Sequence, residues 1–568
     1  MRPFLAFPAL AAALAACAPR SGVATSATPA GEFDVVIENG RVVDGTGAAW
    51  YYGDVAMIGD RIAAIGPRGA FRAARAGTRL DATGHVVAPG FMDIQAHSIA
   101  HYMVGDGLAL SMITQGITTA IHGEGSSLGP MNDKLLAAET DTAERRVLSQ
   151  FTGPNGFTKW LEYMVGRGTA QNVGSFIGDG TVRVYAKGTE QGALSPAELD
   201  TMRAMVARSM RDGAFGIASA LIYPPNTYAS TGELVEAAKA MAPYGGVYIT
   251  HLRSEGDKFL EAIDEALRIG REGGVPVEIF HLKASGPRNW PKMPLAIAKI
   301  DSARAAGQDV QANMYLYPAG GNSFASCIPP KYAAGGRLME NLKNPAIRAT
   351  MIAEMHAVDA GYENLCEIAT AENVMVVGFR KEVNKRFEGM RLSEIARALG
   401  KDWAEVIIDL NVDEELGLGE LLFLMSEENI RLQLRQPWIK FGTDAGSMDP
   451  STARGMVHPR TYGNFPRLFA RYVREQQVIP LEDAVRKASS AVATRLSITD
   501  RGVLKAGLKA DVIVFDPATI MDNATFERPH QLSTGVRDVF VNGVAVLRNG
   551  QHTGAKPGVV VRGPGYRR

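Results

Sequence analysis

Val247-Tyr248-Ile249-Thr250-His251 and Val277-Glu278-Ile279-Phe280-His281 are two short β-branched runs, and each ends on a histidine. Between them, GDKFLEAIDEALRIGR (256–271) is amphipathic and stops at Gly273-Gly274. Strand, helix, strand at this spacing predicts consecutive βα units. Outward from this pair the pattern repeats. Apolar runs recur near 90–94, 117–121, 174–178, 214–221, 310–316 and 438–442. Helix starts separate them. Ser195-Pro196-Ala197-Glu198 is a capping box with proline at the first helical position, and its helix ends at Gly213. Ser230-Thr231-Gly232-Glu233 opens another helix, which ends at Gly245-Gly246. Eight such strands predict an α/β fold, a TIM-like (β/α)8 barrel over residues 87–497, with its chemistry where the strands end. The gap between the seventh and eighth strands, about 320–437, reads as an insertion, helical over Leu392–Leu399.

The two chain ends carry a different signal. Residues 35–43 (VVIENGRVV) have strand composition around an Asn39-Gly40 hairpin turn, and Ile58–Ile62 suggests a second hairpin. Far away, Asp511–Phe515 reads as a strand, and 539–546 (VFVNGVAV) repeats the Asn-Gly hairpin at Asn542-Gly543. Neither end alone buries much apolar surface. Residues 32–86 plus 498–562 are therefore expected to form one β-sandwich when the ends meet.

Composition bounds the rest. The chain has 568 residues, 46% hydrophobic and 21% charged, which excludes a disordered chain. Lys+Arg 60 against Asp+Glu 60 leaves no net field to favour nucleic acid or an anionic membrane. Three cysteines exclude a disulfide scaffold, and Cys327 and Cys366 are either free buried thiols or one disulfide. At the N-terminus, Met1-Arg2 precedes an apolar run too short to span a bilayer. The run closes on Leu14-Ala15-Ala16-Cys17, which resembles the lipobox of bacterial lipoproteins. This predicts a signal peptide over 1–17 with Cys17 lipidated, and a flexible tether over 18–31. The expected location is the bacterial cell envelope, facing the periplasm, with membrane contact only through the lipid.

Polar residues follow the apolar runs. The first strand leads to Gln95-Ala96-His97, the second to His122-Gly123-Glu124, and the fifth to His251. The sixth leads to His281 and Lys283, the seventh to Tyr315 and Tyr317, and the eighth to Asp444. His251 and His281 stand in the same phase of neighbouring units. Two imidazoles and a carboxylate make a Zn²⁺ site that keeps a position open for water. Glu124 is the third ligand candidate and Asp444 the base candidate. His85, His101, His122, His356, His530 and His552 read as packing or surface residues.

GFMDIQAH, TQGITTAIHGEG, YGGVYITHLRSEGD, VEIFHLKASG, ANMYLYPAG, GTDAG, HPRTYGNFPR and ADVIVFDPATIMDNATFERPHQ resemble the D-aminoacylase (N-acyl-D-amino-acid deacylase) family of the amidohydrolase superfamily. The resemblance runs from about residue 33 to 562. It implies a TIM-like barrel with a β-sandwich from both chain ends, and hydrolysis of an N-acyl-D-amino acid to a D-amino acid and a carboxylic acid. It implies zinc on Glu124, His251 and His281, Asp444 as catalytic base, and Lys283, Tyr315 and Arg460 as substrate contacts.

The first strand departs from the family's His-x-His, since it reads Gln95-Ala96-His97. Glutamine is a poor ligand beside imidazole, so a weaker second site keeps only His97 and Asp444, and one zinc per chain is expected. Gly178-Asp179-Gly180 departs too, where the family often carries a histidine. One zinc suffices to activate water and polarise a carbonyl, with Asp444 moving the proton. Two rival readings use the same residues. One is a dipeptidase acting on peptides with a C-terminal D-residue. The other is a catalytically silent lipoprotein that binds such ligands.

Overall fold

The computed structural model describes residues 32–567 apart from 98, 140, 359 and 360. Cys17, the signal segment and the tether lie outside the described residues.

Eight short parallel strands follow one another in sequence order: Phe91–Asp93, Ile117–His122, Asn172–Ser175 continued by Ile177–Gly178, Gly216–Ala220, Val247–His251, Val277–Ile279, Val310–Met314 and Ile439–Phe441. Each pairs with the next, and Ala96 and Ala445 bridge the first to the eighth just past their ends. All eight regions are the ones expected from the apolar runs. Their residues are buried almost throughout, as parallel strands covered by helices must be. The first of the three helices starts and stops as its caps predict. The second ends at Met241, with a 3-10 turn leading to Gly245, and the third starts at Phe259. Ser195 caps Pro196–Asp212 with a full capping box and Gly213 ends it in the left-handed region. Ser230 caps Thr231–Met241, and Gly274 closes Phe259–Gly273.

The chain ends meet in one nine-stranded sheet. Val86–Pro89 is the seam, pairing with Glu32–Val42 on one side and Val512–Phe515 on the other. Both ends contribute to one apolar cluster, with Ile37 and Val55 against Val512, Val514 and Phe540. The Asn39-Gly40 hairpin does not form. Glu32–Val42 is one strand of 11 residues with a register shift between Ile37 and Gly40. Asn39 takes φ 63° and donates its N–H to Asp54 Oδ1 at 2.9 Å. The dipeptide makes a bulge here, because Val87 packs where a Gly40 Cβ would stand, at 2.3 Å. The same dipeptide at Asn542-Gly543 does make the expected hairpin.

The insertion carries a three-stranded antiparallel sheet (Gly320–Ser323, Gly419–Leu422, Val374–Val377) and its own apolar core between Phe324 and Leu424. Cys327 and Cys366 are joined as a disulfide inside it. Helix Glu427–Leu434, counted above within 320–437, packs Ile430 and Leu434 into the main core. Near the C-terminus, Val559 O accepts from Val173 N and Val561 N donates to Val173 O on the third strand.

Candidate metal centre

The second strand stops at Gly123, whose φ is +111° and whose Cβ would stand 2.4 Å from Phe176 O. Only glycine fits that turn, and it swings Glu124 over the strand ends. His251 closes the fifth strand and His281 follows the sixth. Glu124 Oε1 lies 3.3 Å from His251 Nδ1 and 3.2 Å from His281 Nε2. Two ligand atoms at ~2.0–2.1 Å from a tetrahedral ion stand about 3.3 Å apart. The two distances from Glu124 therefore fit edges of a zinc site, and all three ligand atoms lie within 4.8 Å of one another. The rings of His251 and His281 meet edge to face, with centroids 4.4 Å apart.

Glu255 backs the His281 ring, at 3.0 Å from Nδ1, and its other oxygen stands 3.7 Å from His251 Nε2, beyond hydrogen-bond reach. Such a carboxylate fixes which ring nitrogen faces the metal. Lys283 Nζ is 2.6 Å from both Glu255 Oε1 and His281 Nδ1. In this structure Lys283 thus braces the ligand shell, while still lining the cavity in front of it. The insertion reaches this support. Glu363 accepts from Glu255 N and from Ser254 Oγ, both at 2.8 Å.

On the other side of Glu124, Oε2 takes a hydrogen bond from Gln95 Nε2 at 2.5 Å and lies 2.9 Å from His97 Nε2. His97 Nε2 is also 3.1 Å from Asp444 Oδ1. Gln95 turns a neutral donor towards Glu124, so its amide nitrogen offers no lone pair to a cation. His97, Glu124 and Asp444 form a second cluster of potential ligands, in which Glu124 joins the His97 and Asp444 pair read from the sequence.

Asp444 follows the eighth strand with φ +50°, held by its N–H on Gln95 O. Its Oδ2 is 2.8 Å from Arg460 Nη1. Arg460 lies across the Tyr315 ring, 4.5 Å from the centroid. His458 sets that loop: its Nε2–H donates to Ala319 O at 2.8 Å and its Nδ1 accepts from Arg460 N. Asn464 ties the same segment to the seventh and eighth strands through Leu316 N and Gly442 O. The HPRTYGN motif is thus a frame that delivers Arg460 to the site.

The electrostatics agree. Burial opposes charge on His97 and His281, yet the carboxylates beside them push His97 up to about 10 and His281 up to about 9. Burial opposes charge on the acids as well. His281 and His97 nevertheless hold Glu124 well below its usual range, and Arg460 and His97 hold Asp444 down to about 2. Three buried carboxylates here call for positive charge, and a divalent cation supplies it as well as protons do.

Every residue assigned to the site is present around one cavity of about 470 Å³: Glu124, His251, His281, His97, Asp444, Lys283, Tyr315 and Arg460. Glu255, Glu363 and Tyr223 were not singled out from the sequence. Tyr223 stacks edge-on to His251 and donates to Asn322 of the insertion. Glu255 does sit within the HLRSEGD motif, four residues after His251. Asp179 opens helix Asp179–Ala186 and is not among the lining residues; burial pushes its carboxyl up to about 7. His122 is buried, Tyr317 bonds to Asp522, and His356, His530 and His552 make local contacts.

Residues 388–547 match the amidohydrolase family model. The chain is 31% identical to a D-aminoacylase of Alcaligenes xylosoxydans xylosoxydans over 93% of this chain and 97% of that one. It is 31% identical to an N-acyl-D-glutamate deacylase of the same organism, over 94% and 97%. It also resembles the crystal structure of an N-acyl-D-glutamate deacylase of Bordetella bronchiseptica, complexed with zinc and a phosphonate mimic of the tetrahedral intermediate. There the TM-score is 0.75 at 28% identity, over 94% of this chain and 100% of that one. With such likeness along nearly its whole described length, the chain belongs to the D-aminoacylase (N-acyl-D-amino-acid deacylase) family of the amidohydrolases, metal-dependent enzymes that hydrolyse amide bonds.

Proposed function

We propose that this enzyme hydrolyses N-acyl-D-amino acids to a D-amino acid and a carboxylic acid, with one Zn²⁺ per chain held by Glu124, His251 and His281. In this reading the eight parallel strands close as an amidohydrolase barrel and the chain-end strands form its companion sandwich. The observation that carries the function is one cavity in which three potential ligand atoms, all within 4.8 Å of one another, stand beside the Asp444 carboxylate and an arginine.

Bound zinc supplies Lewis acidity towards the scissile carbonyl and lowers the pKa of the attacking water. Asp444 accepts the proton of that water and returns it to the leaving amine. His97 and Arg460 hold the Asp444 carboxylate in place from either side. Arg460 spends Nη1 on Asp444 and Nη2 on Gly321 O at 3.5 Å, and it lines the cavity, where its charge suits the α-carboxylate of the substrate. Tyr315 keeps its hydroxyl protonated, because burial pushes its pKa far up, and so serves as a donor to substrate oxygen.

Elemental analysis tests the metal assignment. About one zinc per chain is expected, with Gln95→His raising the count towards two. Chelation should abolish turnover and zinc should restore it. Two tightly held metals in the unaltered protein, or zinc retained when His251 and His281 are both replaced by alanine, contradict the assignment.

A further inference from the structure

A second cavity, of about 610 Å³, meets the first at His97 and Glu124. It lies beyond the loops that follow the first and second strands, and its wall includes Ile99, Met103, Leu128, Val147, Leu148 and Trp160. We infer that this hollow is the acyl subsite, and that the acyl group it takes is an uncharged apolar chain of medium length. The inference rests on the proposed function, and it adds which half of the substrate goes where.

Cationic side chains sort the two cavities. Lys283 and Arg460 line the first, together with Glu255, Glu420 and Asp444. No lysine or arginine is among the described residues lining the second, whose charged groups beyond His97 and Glu124 are Asp141 and Glu144. A scissile amide has two substituents that leave the reacting carbon and nitrogen in opposite directions. The amine half carries the α-carboxylate, so it belongs with Arg460. The acyl half then points across Glu124 into the second cavity. The acids there disfavour an anionic acyl group such as succinyl. The size argues against acetyl, since one methyl would leave most of an apolar hollow empty beside a close-packed core.

Chain length gives the test. N-acetyl, N-butanoyl, N-hexanoyl and N-octanoyl derivatives of one D-amino acid are compared by kcat/KM, with N-succinyl alongside. Each added methylene buried should raise kcat/KM about fourfold until the cavity is filled. N-succinyl should fall below N-butanoyl. Val147→Trp, at a partly buried wall position, should lower the octanoyl-to-acetyl ratio at least tenfold. A flat series, a preference for acetyl, or an unchanged ratio in Val147→Trp overturns the inference alone. No turnover of any N-acyl-D-amino acid overturns the functional reading and this inference with it.

Discussion

Asp444 and His281 both adopt positive φ, +50° and +31°, where a β-carbon costs energy. Such conformations persist when their surroundings hold them, and here both are held by hydrogen bonds from neighbouring strands. His281 N donates to Asn313 Oδ1, and Asp444 N donates to Gln95 O. The backbone aims both side chains at Glu124. Asp444→Asn keeps the shape and removes the base, so it should keep its zinc and lose ~10²–10⁴-fold in kcat. Loss of zinc from that variant would make Asp444 a structural ligand. At this scale the sequence spoke clearly where a residue follows a strand directly, because strand ends point at the site. It was silent on Glu255 and Glu363, which arrive from loops. Nothing local marks a loop carboxylate as the one that turns back onto His281.

The sixth strand reads as apolar except for Glu278, which is fully buried. It lies 3.0 Å from Lys440 of the eighth strand and 3.0 Å from Arg495. Burial pushes the Lys440 ammonium down to about 8, with Glu278 supporting its charge. Removing one partner of such a buried set leaves the others uncompensated. Glu278→Gln should therefore cost ~3–5 kcal/mol in denaturant unfolding. A cost under ~1 kcal/mol would show that the cluster is neutral to stability.

In the insertion, Glu420 is buried beside the Cys327–Cys366 disulfide and accepts from Ser326 Oγ at 2.7 Å. Burial pushes its carboxyl up from 4.5 to about 8. Between those values the folded chain keeps a proton that the unfolded chain releases. The stability from that proton is complete below pH ~4.5 and is lost as pH rises through ~8. Glu420→Gln should thus narrow the Tm difference between pH 5 and pH 9. An unchanged difference would contradict this. The Asn-Gly pairs teach the same lesson at this scale. Asn542-Gly543 turns the chain and Asn39-Gly40 does not, because Val87 and Asp54 from distant segments decide the second case.

Across the whole molecule, both chain ends join one sheet, and lipidation of Cys17, read from the sequence alone, is a proposal about the segment that precedes it. Cys17→Ser should release the protein from the membrane fraction, and mass spectrometry finding an unmodified start elsewhere would refute lipidation. The architecture was legible because eight apolar runs alternate with capped helices. The seam at Val86–Pro89 was not, since pairing partners more than 400 residues apart leave no local pattern. The central claim is hydrolysis of N-acyl-D-amino acids at the zinc site, and the most direct measurement is kcat/KM of the zinc-loaded enzyme for the D- and L-enantiomers of one N-acyl-amino acid. The account predicts turnover of the D-form at least ~100-fold above the L-form, an energy difference of about 2.7 kcal/mol between the two transition states. Equal turnover of both enantiomers, or turnover of the L-form alone, would contradict it.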